Sequence, residues 1–325
     1  MRRPGPIALL VLSALTVASV AGAVPAAAQV PQPAVGHVWT IVLQGDGYAK
    51  SFGRAARSRY LARTLRERGA LVANYYGTDH PSLPNVLTLI SGQDATAKTR
   101  SSCPRFDCVY GPEVPTLPGQ LEFTGRMWKG YVEDLPAECT LPAPGIGDPF
   151  RKASASSQYV TRQNPFSYFR SITDDRERCR THMVALSQLR TDLAAVETTP
   201  AWSLIIPDTC HAGLAVACPD PAEPAGYKGI DAFLRHWAPR IMKSAAFKQD
   251  GLLVVLFDDA PDDDRRGGGR VGGVLISPLI EPGSTLGLPI DHFGYLRSME
   301  DLFGLPALGP DARTFQSIGA FAPAS

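Results

Sequence analysis

The chain has 325 residues, 44% of them hydrophobic and 19% charged, with a formal net charge of +1. That is ample apolar content for a large core, as one sizeable α/β domain or two smaller ones. A balance so near zero gives no global field to draw in nucleic acid or a strongly acidic partner.

The N-terminus departs from this mixture. MRRPGP is a short basic head, and no charge falls between Ile7 and Ala23. Small residues follow, suited to cleavage after Ala23 or Ala28, so residues 1–28 read as a secretory signal. The competing reading is a retained anchor, because the apolar run is only slightly short of a membrane span. Cleavage would leave a secreted or extracytoplasmic protein with no stable membrane anchor. Residues 29–35 read as a linker.

Along the rest of the chain, HVWTIVLQ (37–44) predicts a buried strand emptying into a loop at Gly45-Asp46-Gly47. Residues 54–69 predict a helix with Tyr60, Leu61 and Leu65 inward and Gly69 as its stop. A second strand is expected over 70–76 and a short helix over 84–92, with Pro84 in its first turn. Residues 126–134 predict a third strand, and 135–165 a loop-rich stretch. A helix over 183–197, a strand over 201–208 and a helix over 230–247 follow, the last with Pro239 as an interruption point. GLLVVLFDDA (251–260) is the clearest buried strand; a strand over 270–278 and a helix over 295–305 complete the pattern. Alternating helices and apolar strands imply a sheet covered on both faces, with chemistry at the carboxyl ends of its strands. Those ends carry Gln44, Asp46, Asp208, Asp258 and Asp259, with His211 just behind Asp208.

Six cysteines, an even number with no CxxC pair, fit an oxidising compartment. Fifteen pairings are open. Cys103–Cys108 and Cys210–Cys218 are expected as local loops, leaving Cys139–Cys179.

The segments IVLQGDGYAKSFG, NYYGTDHPSLPNVLTLISG, WKGYVEDLP, RQNPFSYFRSI, IIPDTCH, GLLVVLFDD, GGVLISPLIEPG and DHFGYLRSMEDLFGL occur in one order. Together they resemble the secreted phosphoesterase family that includes bacterial phospholipases C and acid phosphatases, within the alkaline phosphatase superfamily. The resemblance implies a three-layer α/β/α sandwich around a mostly parallel sheet, with 36–325 as a single catalytic domain. It implies metal-dependent hydrolysis of phosphate esters, small or lipid-borne; the near-zero charge argues for no nucleic-acid partner, and nothing in the pattern specifies an oligomer. Ser82 matches the nucleophile or metal-bridging residue and Asn85 a phosphate contact, and His80 beside them is a further substrate-binding candidate. Asp258, Asp259, His292 and His211 match metal ligands. A serine at a helix start sits in the positive end of the helix dipole, which favours an alkoxide and a phosphate oxygen.

The pattern is also broken. Gln44-Gly45 stands where the family shows Glu-Asn, Gln163-Asn164-Pro165 where it shows His-Asn-Pro, and Ala212 onward lacks the family's acid and second histidine. Asp46, two residues after Gln44 and so on the same side of a strand, could restore a carboxylate. The donors left suffice for at most one divalent ion: Mg²⁺, Ca²⁺, Mn²⁺ or Zn²⁺. The expectation is therefore a secreted phosphoesterase-like hydrolase with weakened activity. The alternatives are an inactive pseudo-phosphatase serving as an extracellular binding protein, and a metal-free esterase using Ser82 with His80 or His292.

Overall fold

HVWTIVL, WSLII and GLLVVLF are buried over nearly their whole lengths. Strands with no wet face need helices on both sides, and a mostly parallel sheet supplies that arrangement. The computed structural model describes residues 1, 35–154, 156–214, 218, 220, 222 and 224–308. The cleavage sites and most of the linker reading therefore lie outside the described residues.

Among the described residues the strands are β1 (His37–Leu43), β2 (Ala70–Val72), β3 (Tyr75–Tyr76), β4 (Trp128–Val132), β5 (Met183–Ala185), β6 (Trp202–Ile206), β7 (Gly251–Phe257), β8 (Gly273–Ile276), β9 (Thr285–Leu286) and β10 (Ile290–Asp291). Eight form one sheet in the order β5-β4-β6-β1-β7-β8-β2-β9, while β3 pairs with β10. Neighbours in the large sheet run parallel except β8, which is antiparallel to both β7 and β2.

Two adjacent residues of β1 show the layering, because successive side chains on a strand point to opposite faces. The Trp39 ring lies 6.1 Å from Phe247, in the Ala245–Asp250 helix. Thr40 Oγ1 is 2.6 Å from the hydroxyl of Tyr295, in the His292–Phe303 helix on the other face. Trp202 Nε1 of β6 donates to that same hydroxyl at 3.1 Å. The expected three-layer α/β/α sandwich around a mostly parallel sheet is what forms.

Local departures have visible causes. The helix expected over 54–69 is a π turn, Tyr60–Leu65, followed by a tight turn at Arg66–Arg68. Asp231 Oδ1 accepts from Ser58 Oγ (2.5 Å) and Tyr60 N (3.1 Å), so a carboxylate from another element fixes where this helical segment starts. The strand expected over 70–76 is broken between β2 and β3, which join different sheets. Residues 183–185 are a strand rather than the start of a helix, because they pair in register with Gly130, Tyr131 and Val132. Pro239 is accommodated inside the Gly226–Lys243 helix; the break comes at Ser244, whose hydroxyl caps the next helix at Phe247 N. The last helix starts at His292 because Asp291 accepts from Gly294 N. All three expected disulfides are present, Cys103–Cys108, Cys139–Cys179 and Cys210–Cys218.

Because β4, β6, β1 and β7 are parallel neighbours, their carboxyl ends share one rim. Glu133, Asp208, Gln44 and Asp258 follow those strands in that lateral order. Strand spacing near 4.8 Å puts Asp208 one position from Gln44 and two from Asp258, so the span from Asp208 to Asp258 is roughly 10 Å.

Candidate active site

Ser82 opens the Ser82–Ser91 helix, which ends at Gly92 in the left-handed conformation (φ 65°). Its approach loop is held by Asn85, which is fully buried. Asn85 Oδ1 accepts from Thr78 N (2.8 Å), Thr78 Oγ1 (3.1 Å) and Asp79 N (3.2 Å). Its Nδ2 donates to the carbonyls of Asp79 (2.6 Å) and Pro81 (3.0 Å). Both amide hydrogens are thus spent on the loop that leads into Ser82.

Ser82 lines a cavity of about 600 Å³ with Gln44, Gly45, Asp46, Arg57, Lys228 and Asp259 among its other walls. Gln44 Nε2 donates to Ser82 Oγ at 2.8 Å. Gly45 is tightly enclosed: a Cβ there would stand 2.9 Å from the Phe257 ring and 3.2 Å from Tyr227 Oη. An asparagine at this position has no room without moving Phe257.

Asp258 is fully buried, and its Oδ1 accepts from Asp259 N at 2.8 Å. Burial, then the neighbouring charge of Asp259, push its carboxyl well above the usual carboxylate range, while the adjacent Ser82 hydroxyl works in the opposite direction. Asp259 is pushed up to about 6, chiefly by burial. His80 Nδ1 lies 2.8 Å from Asp259 Oδ2, so His80 joins the site through this carboxylate.

Ser82, His80, Asp258 and Asp259 therefore come together, and the remaining expected ligands do not join them. Asp46 lines the cavity but faces cations, with Lys50 Nζ at 3.3 Å and an Arg57 guanidinium nitrogen at 3.8 Å. His292 is fully buried, its Nε2 donating to the Asp258 carbonyl (2.5 Å) and its Nδ1 accepting from the Tyr75 hydroxyl (2.8 Å). Burial lowers its pKa to about 4, so the ring is neutral, and both nitrogens are engaged. The metal that the resemblance implies is not matched by these donors. Gln44 turns an N–H, not an oxygen, toward the hydroxyl that a cation would share. Among the described residues no three acid or imidazole ligand atoms at Ser82 lie within 4.8 Å of one another, whereas a catalytic ion ordinarily takes about three protein ligands. Gln44 Oε1, Asp258 Oδ2 and His80 Nε2 are buried without hydrogen-bond partners among the described residues, but they do not form a cluster of three acid or imidazole ligand atoms within 4.8 Å of one another.

His211 sits elsewhere on the rim, its Nδ1 3.0 Å from Glu133 Oε2 and 3.3 Å from Asp208 Oδ1. Burial opposes the charged ring, and the two carboxylates overcome it, raising its pKa to about 10. Glu133 was not singled out from sequence; its place immediately after a parallel strand was the available signal. Arg162 was missed too. It lies beside Gln163, is held low by burial, and its charge interacts with that of Asp258.

The Phosphoesterase family pattern matches residues 52–306. The phosphatidylinositol-3-phosphatase of Mycobacterium tuberculosis is 28% identical over 302 residues, covering 92% of this chain and 88% of that one. An acid phosphatase of Aspergillus fumigatus is 25% identical over 255 residues, 75% of this chain and 51% of that one; the chain thus spans about half the length of this fungal relative. The solved structure of a sulfatase, PsFucS1, from Pseudoalteromonas sp. superposes with a TM-score of 0.52 at 14% identity, over 90% of this chain and 73% of that one, a likeness of fold alone. With the pattern extending over most of its length, on the expected sheet and around the serine-helix site, the chain belongs to the Phosphoesterase family.

Proposed function

We propose that the protein is an extracytoplasmic phosphatase that hydrolyses phosphate monoesters through Ser82. The observation that carries this reading is the Ser82 hydroxyl at a helix N-terminus, facing a cavity of about 600 Å³ and held at 2.8 Å by Gln44 Nε2. Helix N–H groups, Arg57 and Lys228 supply positive potential for the phosphoryl oxygens. Oγ forms a bond to phosphorus while the ester P–O bond breaks and the alcohol leaves. Asp258, whose side chain is adjacent to the Ser82 hydroxyl, is the neighbour placed to take the hydroxyl proton in its ionised form. The Gln44 N–H stabilises charge on Oγ in place of a cation. Water then forms a bond to phosphorus, the Oγ–P bond breaks, inorganic phosphate leaves, and the proton on Asp258 returns to Oγ. No step in this scheme passes through a metal.

Lipid-borne and small phosphate esters share the group recognised here, and the relative named a phosphatidylinositol-3-phosphatase favours including a lipid headgroup among the substrates tested. Three disulfides support an oxidising, extracytoplasmic setting. No helix of the described residues is long and apolar enough to cross a membrane.

A second reading, a pseudo-phosphatase that binds phosphate esters without turnover, is favoured by Gln44 and by the closed space at Gly45. Aryl phosphate hydrolysis separates the two. Turnover that falls to background in Ser82→Ala supports the phosphatase. Absence of turnover in the wild type, with inorganic phosphate still bound, supports the second.

A further inference from the structure

The clearest metal-ligating geometry in the described chain is one strand away from the serine. Glu133, Asp208 and His211 each offer a ligand atom, and these atoms all lie within 4.8 Å of one another. We propose that they form a divalent-cation site distinct from Ser82, for an ion that accepts one imidazole nitrogen and two carboxylate oxygens, zinc foremost.

The geometry is held before any ion arrives. Glu133 N donates to the Ile206 carbonyl at 2.9 Å, tying the end of β4 to β6. Asp208 N donates to Glu133 Oε2 and His211 N to Asp208 Oδ1, each at 3.0 Å, so each carboxylate is aimed by backbone. The Cys210–Cys218 disulfide anchors the turn that carries His211. Gly229 of the neighbouring helix packs so closely on this turn that a Cβ there would meet the Cys210 carbonyl at 2.2 Å. A ligand set carried on such a turn loses little freedom when it binds.

Charge and exposure agree. Two carboxylates and one imidazole supply two negative charges, which a divalent ion neutralises. Asp208 is buried while Glu133 and His211 are half-buried, which leaves a route for an ion and its remaining water ligands. The site also touches the serine centre: Gln44 N donates to the Ala212 carbonyl at 2.6 Å, one residue past His211. Loading therefore stiffens the turn against which Gln44 rests. The metal-binding capacity missing at Ser82 is, on this account, displaced along the rim.

The test uses the full chain, stripped with chelator and titrated with zinc chloride by calorimetry at neutral pH. The inference predicts one ion per chain with a Kd in the micromolar range or tighter. It also predicts a Tm rise of roughly 5 °C at a hundredfold excess over Kd. His211→Gln and Glu133→Gln should each weaken binding at least tenfold, and Asp258→Asn should leave it unchanged. Circular dichroism checks that each variant folds, and Asp208→Asn, which keeps the side-chain acceptor for His211 N, serves if either first variant does not. No binding at millimolar zinc overturns the site; so does binding lost in Asp258→Asn and kept in His211→Gln. Neither result bears on whether Ser82 turns over phosphate esters.

Discussion

Gln44 sets what Ser82 can do. An amide in place of a carboxylate cannot neutralise a cation, but its N–H can face an alkoxide, and in this fold it does so at 2.8 Å. If that donor stabilises the attacking oxygen, Gln44→Leu lowers kcat by about a hundredfold with little change in KM, in line with loss of one oxyanion donor. Steady-state aryl phosphate kinetics measure the split; an unchanged kcat contradicts the role. Asp258 and Asp259 were legible in the sequence because they follow an apolar strand, and Ser82 because it stands between two prolines at a helix start, places where the backbone alone dictates direction. His292 and Asp46 were not, because a side chain's partner is chosen by tertiary contacts. Tyr75 and the Asp258 carbonyl claim one, Lys50 and Arg57 the other. Glu133, which turned His211 into a separate cluster, stands 78 residues away in sequence, and no local pattern links the two.

At the scale of elements, apolar runs predicted β1, β6 and β7 well because burial on both faces needs no alternation to be recognised. The short edge strand β5 was read as helix because MVALSQL satisfies a helical spacing; pairing with β4 overrides that preference. The His292–Phe303 helix carries a testable strain of its own. Glu300 is 1% exposed, and burial, eased by Leu308 N and Arg297, pushes its pKa up to about 7. A carboxyl whose folded pKa is raised contributes stability that is present below its unfolded value and lost as pH rises through the folded one. Between about pH 4.5 and 7 the wild type should lose stability relative to Glu300→Gln, on the order of 3 kcal/mol. Urea unfolding of both proteins at pH 4 and pH 8 measures this. The variant should be the more stable at pH 8, and equal pH dependence contradicts the assignment.

For the whole molecule, three crosslinks act on loops of very different length. Cys139–Cys179 spans 40 residues of sequence and ties the loop after β4 to the Arg176–His182 helix, whereas Cys103–Cys108 spans 5. Loop-closure entropy assigns the long bridge roughly 4 kcal/mol and the short one roughly 2. Replacing Cys139 and Cys179 together by alanine should therefore lower stability more than the same change at Cys103 and Cys108, as read by urea midpoint. The proposed function rests on one chemical claim, that Ser82 oxygen attacks phosphorus. Rapid acid quench during turnover of an aryl phosphate, followed by mass spectrometry of the Ser82 peptide, tests it most directly. The account predicts phosphate covalently on Ser82 in the wild type. Full turnover in Ser82→Ala, with no phosphorylated peptide in the wild type, would contradict it.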